Sequence, residues 1–239
     1  MFNSISRSVR VTQFFLFFLC LSSTYAQQRF SAGPRVGLNL SNYWGHADHM
    51  KFKPGLAAGA FLMYSSLNHF GISADVLYSQ RGTRYSGTDF SPFGNPATTK
   101  FTQRVNYLEI PVVARYFLTL DGNFRPNVFI GPSVGIKLNA RRVNGEYIGR
   151  VTGPAINGDN GNDFRNVDLG ATGGFQLNWG VGNRQRFLID ARYTLGLTGV
   201  QTNLPNVWGQ RSSLQNSTIT LALGYGFGIG REYPSRFRR

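Results

Sequence analysis

Apolar and polar residues alternate with a period of two along most of this chain. Phe70, Ile72, Ala74, Val76 and Tyr78 alternate with Gly71, Ser73, Asp75, Leu77 and Ser79. Leu108, Ile110, Val112, Ala114 and Tyr116 alternate with Tyr107, Glu109, Pro111, Val113 and Arg115. The pattern returns from Val128 to Leu138 and from Phe187 to Leu195. A helix would scatter these apolar residues around its axis, whereas a strand sends them all to one face. The alternation predicts strands near 29–41, 54–66, 70–85, 102–118, 125–140, 167–180, 186–199 and 217–229.

The connections between these segments also alternate. Those after the second, fourth and sixth are tight, around Leu67-Asn68-His69, Leu120-Asp121-Gly122-Asn123 and Val181-Gly182-Asn183-Arg184. Those after the first, third, fifth and seventh are long and rich in Gly, Asn, Ser and Pro. An even number of antiparallel strands with strict short and long joins is the signature of a transmembrane barrel with short periplasmic turns and long extracellular loops. The expected fold is therefore all-β, an eight-stranded antiparallel up-and-down barrel. Phe30, Tyr64, Phe70, Tyr116, Trp179, Phe187 and Tyr225 fall on the outward face beside the short turns, where an interfacial aromatic girdle belongs.

The opposite face carries Arg35, Asp75, Arg81, Glu109, Arg115, Lys137, Asp168, Asp190 and Arg192. Eight strands enclose only enough room for side chains to fill. The nearly balanced set therefore reads as a structural charge network plugging the lumen, with no open pore. Singly buried charges would each cost several kcal/mol. Antiparallel order suggests Glu109 paired with Arg81 and Arg115 with Asp75 on the neighbouring strand. Near the end, Gly224, Gly226, Gly228 and Gly230 alternate. With no helix after them they suit strand curvature and room for large inward neighbours, not dinucleotide binding.

The N-terminus sets the expected compartment. Arg7 and Arg10 precede an apolar run from Phe14 to Leu21, and Thr24-Tyr25-Ala26 offers a small-x-small cleavage site. This is the three-part pattern of a secretory signal, too short in its apolar core to span as a helix. The domains expected are a signal peptide at 1–26, a barrel at 27–230 and a basic tail at 231–239. Cys20 is the sole cysteine, and Phe17-Phe18-Leu19 before it lack the small residues of a lipidation site. Cleavage removes two arginines and no acid, lowering the formal charge from +14 to +12. Export argues against nucleic acid as the partner of this charge. Outer-membrane lipid and the phosphates of lipopolysaccharide suit it better.

Several segments in order carry a family resemblance. They are Gly33-Pro34-Arg35-Val36-Gly37-Leu38-Asn39-Leu40-Ser41, then Asp75-Val76-Leu77-Tyr78-Ser79-Gln80-Arg81-Gly82, then Tyr107-Leu108-Glu109-Ile110-Pro111-Val112-Val113-Ala114-Arg115-Tyr116. Gly131-Pro132, Asp168 with Gly170, and Ala191-Arg192-Tyr193-Thr194-Leu195-Gly196-Leu197 complete the set. Together they resemble the PorT-like family of outer-membrane β-barrels across nearly the whole mature chain. The resemblance implies a bacterial outer-membrane barrel with no catalytic residues and no cofactor. Some relatives are linked to a secretion system that exports proteases and adhesins, which implies envelope or secretion-system proteins as partners. The chain departs from the pattern by continuing past its last aromatic strand with Arg231-Glu232-Tyr233-Pro234-Ser235-Arg236-Phe237-Arg238-Arg239.

Two other classes compete with a non-enzymatic barrel in a structural, adhesion or secretion-associated role. A soluble lipocalin-like barrel would invert the faces, with an apolar ligand inside and the charges in water. A lipid-modifying enzyme would need a nucleophile and base. His46 and His49 flank Asp48 in the first long loop, but no local motif marks a nucleophile, and two histidines fall short of the about four ligands a metal wants. Asp159-Asn160-Gly161-Asn162-Asp163 puts Gly where a calcium ligand should be and has no distal Glu. No catalytic, cofactor or metal residue is expected.

Overall fold

A computed structural model describes residues 30–44, 50–66, 69–90, 96–120, 122–148, 158–181, 184–200 and 214–229. The signal segment, the basic tail, Gly230 and the His46-Ala47-Asp48-His49 loop lie outside these residues.

The alternating segments form β1 (Phe30–Trp44), β2 (Met50–Ser65), β3 (Phe70–Phe90), β4 (Pro96–Phe117) and β5 (Asn127–Ile148). After a two-residue β6 (Gly158–Asp159) come β7 (Val167–Val181), β8 (Gln185–Gly196) and β9 (Gln215–Ile229). Each long strand pairs antiparallel with its chain neighbours, and β1 pairs β9 to close the ring; β6 only extends the edge of β5. Eight long strands thus make a closed barrel, which leaves no row of unpaired backbone groups.

The strands are longer than the alternation predicts on one side. β3 and β4 run on to Phe90 and Pro96, and β5 to Ile148, through stretches whose Gly, Ser and Asn content suggests loop. Cross-strand pairing such as Thr88 with Thr98 satisfies the backbone there, so composition is overridden by a partner strand. β8 instead stops at Gly196. The chain then bends, with Leu197 and Thr198 donating to the carbonyl of Leu169.

The two faces of the wall differ sharply. Leu38, Ile130 and Leu221 point outward and are 66%, 70% and 60% exposed, while Arg35 and Arg115 on the inner face are 4% and 1% exposed. Among the described residues no helix is long and apolar enough to cross a membrane. The apolar surface belongs to the strands and circles the barrel, which suits lipid and not water. The inverted faces of a lipocalin-like carrier are therefore not those found.

At the short-turn end, outward aromatics meet across strands. Phe30 lies 5.0 Å from Tyr64 and Phe70 lies 5.4 Å from Tyr116, ring centre to ring centre. Trp179 and Phe187 are register partners, as are Phe187 and Tyr225. Inside the same end, Phe61, Met63, Phe117 and Leu188 form a buried apolar floor. Gly226 makes room for it, since a Cβ there would come within 3.1 Å of the Phe61 ring. A second buried cluster closes the far end, where Phe164, Val200 and Leu214 fold in against Tyr43, Val105, Tyr107 and Ala140.

Candidate functional site

Between the two apolar clusters the lumen is polar. Alternation sends every second side chain of each strand into it, and the tilt of the strands staggers these residues into levels. Four charges from three strands form its centre. Arg35 of β1 donates through Nη1 to Asp75 Oδ2 of β3 and lies 3.3 Å from Asp190 Oδ2 of β8. Arg192 of β8 reaches the same two carboxylates, Nη1 to Asp75 Oδ2 at 3.0 Å and Nη2 to Asp190 Oδ2 at 2.9 Å. Two arginines and two aspartates make an electrically neutral square. All four are under 5% exposed, so mutual neutralisation is what permits their burial.

A second group sits nearer the long-loop end. Arg81 of β3 bonds Glu109 of β4 with Nη2 to Oε2 at 2.5 Å, and its Nη1 is 3.7 Å from Asp168 Oδ2 of β7. Asp168 also accepts from Asn216 Nδ2 at 2.6 Å and from Thr198 Oγ1 at 2.9 Å. The Arg81 guanidinium lies 5.6 Å from the centre of the Tyr107 ring.

Arg115 of β4 departs from the sequence expectation. It donates not to Asp75 but to three neutral acceptors, Ser73 Oγ at 2.7 Å, Asn127 Oδ1 at 2.8 Å and Gln176 Oε1 at 3.0 Å. Competition is the reason. Arg115 stands opposite Gly71, the same four-residue offset from Asp75 that Arg81 spans to reach Glu109, but the Asp75 carboxylate is already held by Arg35 and Arg192. The Phe129 ring, 4.6 Å from its guanidinium, completes the Arg115 site. Gln176 links this group to the central square through a 3.4 Å contact from Nε2 to Asp190 Oδ2.

Lys137, the ninth of the inward charges, is half-buried. Its Nζ donates to the carbonyl oxygens of Gly161 at 2.5 Å and Phe164 at 2.7 Å. It therefore pins the segment after β6 into the barrel mouth and, among the described residues, meets no carboxylate there. Within that segment Asp159 Oδ1 accepts from the Gly161 amide at 2.8 Å, which uses the acid to form its own turn. Among the described residues no group of three His, Cys, Asp or Glu could hold a metal.

Sequence reasoning names the charges and omits the neutral polar residues between them. Asn39, Asn127, Gln176 and Asn178 are fully buried on the same face. Asn39 donates to Ser79 Oγ at 3.0 Å and accepts from Thr220 Oγ1 at 2.7 Å, bridging β3 and β9. Their signal is parity: Asn39 follows Arg35 at an even spacing, as Asn127 and Gln176 follow the inward register of their strands. Chemically, the arrangement holds its carboxylates in arginine and amide contacts. None of the nine charged residues forms a nucleophile and base pair.

The family model described as outer membrane protein beta-barrel domain matches residues 25–201. Among solved structures, the chain is similar to Neisserial surface protein A, with TM-score 0.42 and 13% identity over 84% of this chain and 97% of that one. It is similar to OprG from Pseudomonas aeruginosa, with TM-score 0.46 and 9% identity over 86% and 97% of the two chains. It is likewise similar to the outer membrane protease OmpT from Escherichia coli, with TM-score 0.48 and 9% identity over 86% and 98%. No curated protein matches the chain.

Proposed function

The chain belongs to the outer membrane protein beta-barrel domain family, and from that premise we propose a non-enzymatic barrel plugged by its own charged side chains. The protein resides in the outer membrane. Within the broader family we place it with the PorT-like barrels, on the segments around Arg35, Asp75 and Glu109. Its task is structural, adhesive or secretion-associated, performed by the long outer hairpins that the rigid wall presents to envelope proteins. Cleavage after Ala26 releases the mature barrel.

One observation carries this reading: the square of Arg35, Asp75, Asp190 and Arg192 crosses the lumen from β1 to β3 and β8. A charge pair on one strand wall would leave a channel beside it. A square anchored on three strands occupies the channel axis, and the apolar clusters at Phe61 and Phe164 lie at either end. Carboxylates held this tightly by arginine are poor general bases, which speaks for a non-enzymatic role.

Purified protein reconstituted into planar bilayers tests the proposal. The expected result is no stable porin-like conductance. Steady, large openings from protein that still migrates as a folded, heat-modifiable species on detergent gels would overturn the plugged lumen. Hydrolysis of membrane lipid by the same preparation would overturn the non-enzymatic role.

A further inference from the structure

Outside the barrel, positive charge gathers on one sector just above the apolar band. On β4 the outward residues run apolar from Tyr116 to Leu108, and on β5 from Val128 to Leu138. Beyond those ends come Arg104 and Arg141, both exposed and direct register partners on adjacent strands. Exposed Arg84 of β3 joins the sector, with Lys51 of β2 as its register partner.

Like charges directly opposite one another on a sheet repel, so the Arg104–Arg141 pair weakens the wall unless an anion sits between. Among the described residues the register offers one acid beside them, Asp159, the partner of Arg141 on β6. One of its carboxylate oxygens is engaged by the Gly161 amide. Arg104, Arg141 and Asp159 line a groove of about 410 Å³ together with Asn106, Asn139 and Ala140. Asn106 donates to Asn139 Oδ1 at 2.8 Å across the floor of this groove.

The height of the groove selects the anion. Strand rise and tilt give roughly 2.5 Å per residue along the barrel axis. Arg104 lies four residues past Leu108 and Arg141 three past Leu138, hence about 8–10 Å beyond the apolar edge and within side-chain reach of the headgroup layer. Two guanidinium forks at that level suit a phosphate monoester, which offers several oxygens for bidentate bonds.

We infer that Arg104 and Arg141, assisted by Arg84 and Lys51, bind a phosphate of a phosphorylated glycolipid of the lipid A type in the outer leaflet. The inference rests on the proposed orientation, in which the long hairpins face outward. The groove then fixes one side of the barrel to the lipid that surrounds it.

The test uses the full mature chain folded in detergent micelles, with lipids retained on it read by native mass spectrometry. Diphosphoryl lipid A and its enzymatically dephosphorylated form are the probes, with phosphatidylglycerol and sucrose octasulfate beside them. The protein should retain diphosphoryl lipid A about tenfold better than the dephosphorylated form, the scale of one or two charge-assisted bonds. Arg104→Gln with Arg141→Gln should lower the first to the level of the second. Arg184→Gln, at the opposite end of the barrel, should change neither. Undiminished retention by the double variant would overturn the site, as would an equal loss in Arg184→Gln. Arginine-dependent binding of phosphatidylglycerol equal to that of lipid A would overturn the glycolipid assignment. Sucrose octasulfate bound in place of lipid A would mark a soluble polyanion instead and overturn it too. Heat-modifiable migration is read on every variant, so loss of lipid binding is separated from loss of the barrel.

Discussion

Arg81 bonds Glu109 at 2.5 Å although the two residues are not register partners: Glu109 stands opposite Leu77, and Arg81 stands opposite Val105. The contact runs diagonally over the inner face, a reach that the long arginine side chain supplies. Asp168 stands on its far side, 3.7 Å away. The pair therefore fastens β3 to β4 and aims both strands at β7.

Glu109→Ala should leave Arg81 with the weaker Asp168 contact as its main compensation, at a cost of roughly 3–5 kcal/mol. Arg81→Ala should cost about as much, and the double substitution clearly less than the sum. Unfolding titrations in lipid vesicles measure all three. Additivity within about 0.5 kcal/mol would show that the two side chains are not coupled.

Asp75 holds two arginines, and each of those also touches Asp190. The square is therefore symmetric, and what separates its corners is Arg115 beside it, a buried cation that meets only neutral acceptors. Asp75→Ala leaves an excess of positive charge there whereas Arg35→Ala leaves a balance, so Asp75→Ala should destabilise the barrel more, by an excess on the order of 1–3 kcal/mol. The same titrations rank the two variants, and an equal or inverted order would contradict this charge balance.

Lys137 is the latch of the barrel mouth. Lys137→Met keeps the length of the side chain and removes both bonds to Gly161 and Phe164. Amide hydrogen exchange across 160–166 should speed up severalfold, while exchange at the central square stays unchanged. Uniform acceleration along the chain would point to global destabilisation and against a local latch.

The β1–β9 seam depends on a missing side chain. A Cβ on Gly33 would fall 1.8 Å from the backbone oxygen of Tyr225, an overlap that no rotamer relieves. Gly33→Ala should force the seam apart and cost about 1–3 kcal/mol by overpacking. Gly122→Ala has open space around its Cβ but sits at φ +84°, so its penalty should come from backbone strain alone. Urea midpoints of the two folded variants compare the effects; a Gly33→Ala protein as stable as the parent would mean that the strands part freely.

What the sequence determined by itself is which way each residue faces. A strand repeats every two residues, so Arg35 and Asp75 must share one face while Val36 and Val76 take the other, whatever strand lies alongside. Outward apolar residues and inward charges follow from that parity, as do the eight strands and the order of short and long joins. The neutral members, Asn39, Gln176 and Asn216, carry the same parity. They escape notice because an amide on a strand is as common in water as in a lumen.

What only the tertiary structure decided is who meets whom. Register belongs to two strands jointly, and it is set by turn length, shear and irregularities such as those between Phe52 and Ala57 and between Asn106 and Tyr107. Arg35 and Arg192, brought in from distant strands, occupy Asp75 and leave Arg115 to Ser73, Asn127 and Gln176. Ring closure then brought Arg35 and Arg192, 157 positions apart in the chain, onto the same two carboxylates. Period-two alternation acts within one strand and survives any register, whereas an ion pair across a closed lumen exists only once every strand has taken its place.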